Sequence, residues 1–315
     1  MNRMKGPRGI IWIITAKCNL RCKHCYSVIY EREKELDGSA VLRVLRDAAD
    51  AGVKFVNFTG GEPLVRKDLF TILSEARELG IDISIFSNLT LLKDEDAEKL
   101  YRLEVPVYTS MDGPTKEVHE RLRGWGSWKP FLRGLKMLIN RGVDVHVNIA
   151  VSRYNWMYVT ETVKKAFELG INSVSLIPTM KVGRAVKTKT YVSKNIFLEV
   201  LKKVVEEGLD VSIWCAPFAG LIDKSFSSWS CKGWNVMDIS PSGRFILCDV
   251  MNYEVANVVR SGIMGAWRAM FEDPVYQKVI DTPKECTNCQ IVDVCRGGCY
   301  ARTWPELGKD PLCPK

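Results

Sequence analysis

Six times between residues 10 and 207, a short run rich in β-branched residues is followed by an amphipathic stretch. The runs fall at 10–15, 54–59, 82–87, 105–111, 143–151 and 172–177. The stretches fall at 39–51, 68–79, 94–101, 128–141, 156–169 and 192–207. Five of the six stretches close on a glycine, at Gly52, Gly80, Gly142, Gly170 and Gly208, as helix C-termini do. Ser39 and Asp68 are the expected N-caps of the first two helices. Six βα units in series predict a parallel sheet with right-handed crossovers. The period does not separate an open doubly wound sheet from a barrel. In both, chemistry collects at the C-terminal ends of the strands.

The texture changes after Asp210, where cysteine, tryptophan and turn residues dominate. The expected division is therefore 1–208 and 209–315. The second part, with so many thiols, would fold around bound metal more than around an apolar core. The whole chain of 315 residues is 46% hydrophobic, enough for a full core. Its net charge of +8 serves solubility or an anionic substrate or partner. Basic and aromatic residues do not interleave, so nucleic acid is not an expected partner. The apolar run at 10–14 is too short for a signal sequence or a membrane span. A cytoplasmic location follows, where thiols stay reduced. The eleven cysteines are an odd number, which speaks against a disulfide framework.

Three of them stand directly after the first strand, in Cys18-Asn-Leu-Arg-Cys22-Lys-His24-Cys25. Thiolates this close suit iron–sulfur ligation, and three of them leave one iron of a cubane open. An open position marks a catalytic site. Zinc binding and thiol redox chemistry are the alternatives from this segment alone.

The later strand ends also carry polar or glycine-rich signals. Strand two runs into Gly60-Gly61-Glu62-Pro63, where glycine permits close approach and Glu62 can oppose an ammonium group. Ser87-Asn88 ends strand three, and Ser110-Met111-Asp112-Gly113 ends strand four. His119-Glu120-Arg121-Leu122-Arg123-Gly124 follows, and Asn148 lies on strand five. Each has an ordinary structural reading as a turn, a helix cap or an inward barrel residue.

In this order along the chain, these segments resemble the radical S-adenosylmethionine (SAM) superfamily. Its CxxxCxxC signature is matched by Cys18, Cys22 and Cys25, with His24 as a less common aromatic before the third cysteine. Its GGEP, SxDG and HDxxRG segments are matched too, with Glu120 in place of the usual Asp. The resemblance covers roughly residues 10 to 180 and implies a partial (β/α)6 barrel rather than a doubly wound sheet. It implies that SAM chelates the open iron through its methionine amino and carboxylate groups. One electron then splits the sulfonium bond and gives a 5′-deoxyadenosyl radical. By the same resemblance Gly60, Gly61, Glu62 and Pro63 hold the amino group, and Ser87 and Asn88 meet the ribose. Ser110, Asp112 and Asn148 complete the cofactor contacts with His24. Arg123 pairs with a SAM carboxylate or with Asp112.

The remaining cysteines are Cys215, Cys231, Cys248, Cys286, Cys289, Cys295, Cys299 and Cys313, with Gly243 between the second and third. Their spacing resembles the SPASM domain, a small α+β unit, and implies two auxiliary [4Fe–4S] clusters. By resemblance Cys231, Cys248 and Cys299 hold the first, and Cys286, Cys289, Cys295 and Cys313 the second. Cys215 is the expected fourth ligand of the first; without it that cluster would keep an open iron. Zinc is the alternative for this part read alone. Asp249, after Cys248, can accept a substrate proton or serve a turn.

Residues 169–198 carry Lys181, Arg184, Lys187, Lys189 and Lys194 and no acidic side chain. This segment is a solvated loop or a docking surface for carboxylates or phosphates. About nine residues precede strand one, so no N-terminal leader-recognition domain is expected. The expected function is SAM-dependent hydrogen abstraction from a peptide or protein side chain, with a tetrapyrrole of the haem pathway as the alternative substrate. The expected electron donor is a ferredoxin or flavodoxin.

Overall fold

Strand order decides what periodicity leaves open. In the computed structural model, which describes residues 6–226, 231 and 235–315, seven strands lie side by side in chain order. They are β1 (Gly9–Thr15), β2 (Phe55–Gly60), β3 (Asp82–Phe86), β4 (Val107–Ser110), β5 (Val145–Val151), β6 (Ser173–Pro178) and β7 (Ser212–Ile213). Every pairing among them is parallel. A doubly wound sheet reverses its order at a switch point, and this one does not. The winding is that of a barrel. Among the described residues β7 pairs with β6 alone, so the ring stays open.

The other side of β1 is taken by β8 (Val236–Ile239), which runs parallel to it. Strands β9 (Arg244–Ile246) and β10 (Glu254–Asn257) then extend the sheet antiparallel. The expected boundary at 209 falls just before β7, and the ten-stranded sheet continues across it.

The helices that matter for the site are α1 (Gly38–Asp50), α2 (Leu69–Glu78), α3 (Asp94–Arg102), α4 (Lys116–Arg123), α5 (Trp128–Ile139), α6 (Val159–Glu168), α7 (Arg184–Thr188), α8 (Lys194–Glu206) and α9 (Val258–Glu272). Alternation along β1 sends Ile10, Trp12 and Ile14 into the main core, where Val41, Val44 and Leu45 of α1 are also buried. Ile13 faces the other way and packs with Tyr30 and Ile246. Each such side chain contributes about 1.5–3 kcal/mol by leaving water.

One expected cap is corrected, and the other, Asp68, stands at its N-cap position without a cap bond. The N-cap of α1 is Asp37, whose extended backbone lets its carboxylate accept from the Ala40 N–H at 2.8 Å. Ser39 lies inside the helix and donates to Asp37. Asp68 precedes α2, but its carboxylate makes no cap bond and is held by Arg66 instead. Helices α4 and α7 interrupt what the pattern presents as loops. No helix among the described residues is long and apolar enough to cross a membrane.

Candidate active site

The three-cysteine loop is clamped by the backbone of the glycine pair. The N–H of Gly61 donates to the Thr15 carbonyl at 2.8 Å, and that of Glu62 to the Lys17 carbonyl at 2.9 Å. A Cβ on Gly60, whose φ is +141°, would lie 2.1 Å from the Thr15 oxygen, and one on Gly61 2.2 Å from the Lys17 oxygen. Glycine is thus needed here for approach to the segment leading into Cys18, a use that the turn alone does not reveal. Pro63 starts the short helical turn that follows.

The Glu62 carboxylate is fully buried and reaches across to the end of β3. It accepts from Ser87 Oγ at 2.7 Å, Asn88 N–H at 2.7 Å and Leu64 N–H at 3.1 Å. Burial lifts its carboxyl to about 7 against the pull of those hydrogen bonds. Ser87 is therefore turned toward Glu62, while Asn88 Nδ2 lies 3.9 Å from Cys18 Sγ. Of the two residues at this strand end, Asn88 is the one beside the cysteine loop.

Asp112, fully buried, organises the opposite side. Arg123 Nε meets its Oδ2 at 2.6 Å, the Ala150 N–H donates to its Oδ1 at 2.9 Å, and His24 Nε2 lies 3.6 Å away. Burial raises the Asp112 carboxyl, but Arg123 and the two histidines overcome this and hold it below its ordinary value. Burial also depresses His24 to about 4 and His119 to about 3, so both rings are neutral near pH 7. His119 Nδ1 accepts from the Asp112 N–H at 3.4 Å. Arg123 thus pairs with Asp112. Among the described residues, no hydrogen bond engages its remaining N–H groups.

Two buried atoms at this site have no partner: His24 Nδ1 and Asn148 Nδ2. Asn148 pairs in register with Ser110 and accepts from Ser175 through its other side-chain atom. Unsatisfied buried polar atoms of this kind are rare without a ligand to meet them.

The thiols themselves fall into three sets. Cys18, Cys22 and Cys25 lie close enough to repel one another as thiolates, and burial pushes Cys22 up to about 11 despite Arg123. Cys215, Cys231, Cys248 and Cys299 form a second electrostatic neighbourhood. Cys286, Cys289, Cys295 and Cys313 line one cavity with Gly297, Lys309, Val292 and Leu221. All eleven are free of disulfides. Four converging soft donors in each C-terminal set, and three at the barrel, suit iron–sulfur clusters. Metal binding would displace the protons of these thiols.

Asp249 bridges two of these sets. Its side chain bonds the Tyr26 hydroxyl, its N–H donates to Asp238 at 2.9 Å, and its carbonyl accepts from the Tyr30 hydroxyl at 2.7 Å. Tyr26 follows Cys25, and Asp249 follows Cys248. Burial raises both Asp238 and Asp249, and the charge of Asp249 adds to the rise at Asp238. Asp238, Tyr26, Arg302 and Asp310 are absent from the sequence expectations. Tyr26 and Arg302 act through Asp249 and Cys215, both far along the chain, and Asp238 and Asp310 through contacts that no spacing motif marks.

A parallel partial barrel with a three-thiol loop after its first strand, and thiol quartets beyond, defines an iron–sulfur enzyme that cleaves SAM. Residues 12–166 match the family described as the Radical SAM superfamily. Residues 12–166 thus form a domain of that superfamily, which uses SAM and a [4Fe–4S] cluster. The chain is 26% identical to an AdoMet-dependent heme synthase of Oleidesulfovibrio alaskensis, over 97% of this chain and 87% of that protein. It is 25% identical to a PqqA peptide cyclase of Granulibacter bethesdensis, over 99% of this chain and 88% of that one. The solved structure of Streptococcus suis SuiB bound to precursor peptide SuiA superposes with a TM-score of 0.78. That match has 20% identity and covers 99% of this chain and 77% of SuiB.

Proposed function

We propose that the chain abstracts hydrogen from a peptide or protein side chain, using a radical made from SAM. The observation that carries the SAM chemistry is the set of three thiols together with unpartnered buried polar atoms at the same site. Cys18, Cys22 and Cys25 would hold the SAM-cleaving cluster. Cys215, Cys231, Cys248 and Cys299 would hold one auxiliary cluster, and Cys286, Cys289, Cys295 and Cys313 the other. A reduced cluster held by these thiols would supply the one-electron chemistry that breaks a carbon–sulfur bond of SAM.

The residues do the rest by position. The free edge of Arg123 offers N–H groups to the methionine carboxylate, while Asp112 fixes that guanidinium from behind. Glu62 places Asn88 beside the cysteine loop and adds negative charge near the amino group. Asn148 Nδ2 and His24 Nδ1 are donor and acceptor positions left for the nucleoside or the substrate. Asp249, with Tyr26 and Asp238, provides a shared proton site at the junction with the auxiliary quartet. A deprotonated Asp249 there could take the substrate proton as the substrate is oxidised.

A peptide substrate is supported by the peptide cyclase among the relatives. The second reading, a tetrapyrrole, is supported by the haem synthase at similar identity and coverage. We also propose the division into a barrel, 1–208, and an auxiliary-cluster domain, 209–315. We place the protein in the cytoplasm, where eleven free thiols stay reduced.

The test is anaerobic incubation with SAM and dithionite. Release of 5′-deoxyadenosine is expected, and Cys22→Ala should abolish it. Protein purified without iron and sulfide, and unable to take them up, would sink the proposal. Candidate peptides and iron coproporphyrin then separate the substrates. Loss of carbon dioxide from the porphyrin propionates would move the assignment to the second reading.

A further inference from the structure

A chain of hydrogen bonds runs along the inner face of the barrel to the unpartnered donor of Asn148. Val145, Val147 and Ile149 of β5 face the main core, as do Val174 and Leu176 of β6. Alternation therefore turns His146, Asn148, Ser173 and Ser175 to the inner side. In register, His146 stands opposite Ser173 and Asn148 opposite Ser175. His146 Nδ1 lies 2.5 Å from Ser173 Oγ, and its Nε2 lies 3.0 Å from Ser175 Oγ. Ser175 Oγ donates to Asn148 Oδ1, and Asn148 Nδ2 is left without a partner among the described residues. Aromatic rings clamp the imidazole, which stacks on Trp214 at 5.3 Å and tilts against Tyr108 at 5.1 Å.

Counting protons fixes the direction of this chain. Ser175 is fully buried, and the single proton of its hydroxyl goes to Asn148. Its oxygen then accepts from the imidazole, so the His146 proton sits on Nε2. Nδ1 is left to accept from Ser173. Burial depresses His146 to about 4, so the ring is neutral near pH 7 and one of its nitrogens must accept. The reverse direction would be equally complete in hydrogen bonds. With the proton on Nδ1, the imidazole would accept from Ser175, Ser175 would accept from Asn148 Nδ2, and Asn148 would offer its oxygen instead. The tautomer of His146 and the polarity of Asn148 are thus a single choice.

We propose that His146 is a positioning residue for the nucleoside of SAM: through Ser175 it holds the Asn148 amide with a donor, not an acceptor, toward the ligand. The inference rests on the reading of the three-cysteine loop as the place where SAM is held. The depth of Asn148 points to the nucleoside. Two residues further along β5, the Ala150 N–H donates to Asp112, and Asp112 holds Arg123 for the methionine carboxylate. The mouth of the barrel lies at the C-terminal end of the strand, so Asn148 sits deeper than that anchor, by roughly 6.6 Å along the strand. With methionine at the cysteine loop, the end of SAM that reaches inward is the nucleoside. Purine ring nitrogens and ribose oxygens are acceptors, which an N–H meets and a carbonyl oxygen repels. The relay sets the amide before the ligand arrives, so binding need not reorient it.

The test compares two replacements of nearly equal shape at about pH 8, above the ordinary carboxylate range. His146→Gln keeps an N–H where Nε2 donates and an oxygen for Ser173. His146→Glu is ionised and can only accept, so Ser175 must turn its proton to it and Asn148 must turn its oxygen to the ligand. SAM affinity is read by equilibrium binding to the reconstituted protein. It is expected to stay within about threefold of the parent in the Gln variant and to fall by about tenfold or more in the Glu variant, with equal iron in both. With Ser175→Ala in place the difference between Gln and Glu should vanish, because the relay passes through that hydroxyl. Equal affinity in the two variants would overturn the inference. So would a difference that survives Ser175→Ala, the mark of a bare charge effect. The chain has three histidines, so the imidazole nitrogen resonances of the ligand-free protein read the tautomer directly. The proton of His146 is expected on Nε2, and finding it on Nδ1 would overturn the inference without any variant. Failure of the parent to bind SAM would instead overturn the cofactor reading, which the tautomer does not touch.

Discussion

The backbone N–H of Cys299 donates to the carboxylate of Asp310 at 2.9 Å. The Asp310 carbonyl in turn accepts from the N–H of Cys313 at 3.0 Å. One fully buried aspartate thus fixes a cysteine from each C-terminal quartet. Its charge is balanced by Arg302, whose guanidinium also donates to the Cys215 carbonyl at 2.9 Å. Asp310→Ala would leave Arg302 buried without its carboxylate, a loss of about 3–5 kcal/mol. The lost carboxylate also accepts from the Leu312 N–H at 2.9 Å, just before Cys313, so both quartets should lose their geometry together. After anaerobic reconstitution, iron should fall from about twelve per chain to about four. Iron assay and thermal melting check this, and a variant that keeps parental iron would contradict it.

The barrel site should fail separately. On Gly61 a methyl group would meet the Lys17 carbonyl, which is backbone and cannot turn aside. Gly61→Ala should therefore displace the segment entering Cys18. Iron should fall by roughly a third, and the spectral response to SAM should vanish, with the auxiliary signals kept. Gly80→Ala is the control. Its φ is +73° and nothing lies within 4 Å, so it should cost about 1 kcal/mol and leave iron unchanged.

Much of this was legible in the sequence because its causes are local. Strand and helix periods, the spacing of Cys18, Cys22 and Cys25, and the glycine pair at 60–61 are short-range patterns. What escaped is long-range. Strand β8 pairs with β1 through Gly9 and Val236, more than two hundred residues apart, and no local signal marks that partner. Glu62 reads as a free ligand for an ammonium group, yet Ser87 and Asn88 already bind its carboxylate. Asp37 and Ser39 are both good caps, and only the extended backbone at Asp37 decides between them. The assignment of Arg123 needed Asp112 at 2.6 Å.

Glu62 makes SAM affinity depend on pH. Its carboxyl is raised by burial to about 7 in the ligand-free protein, so it is mostly protonated at pH 6 and ionised at pH 8. The positive end of methionine favours the ionised form, which binding would stabilise. Affinity should therefore rise with pH through 7 and be about tenfold weaker at pH 6 than on the plateau. Glu62→Gln should bind more weakly and lose that component of the profile. Equilibrium binding of SAM across pH 5.5–8.5 (roughly the span of the titration) measures it. A profile in the variant that still rises tenfold through 7 would assign the effect elsewhere.

Cys215 decides whether the first auxiliary site is closed. It lies outside the spacing shared by the other seven cysteines, and its backbone is left-handed, with φ +57°. Its thiol nonetheless faces those of Cys299 and Cys231, and its carbonyl is held by Arg302. A non-glycine residue kept in that conformation costs about 1 kcal/mol, which the arrangement around it must offset. If four thiols close the site, Cys215→Ala opens one iron. That iron should be lost on mild oxidation, lowering iron by about one per chain and changing the cluster's paramagnetic spectrum. The parent, treated alike, should keep both. The same loss from parent and variant would mean that Cys215 is no ligand, leaving an iron open to bind substrate directly.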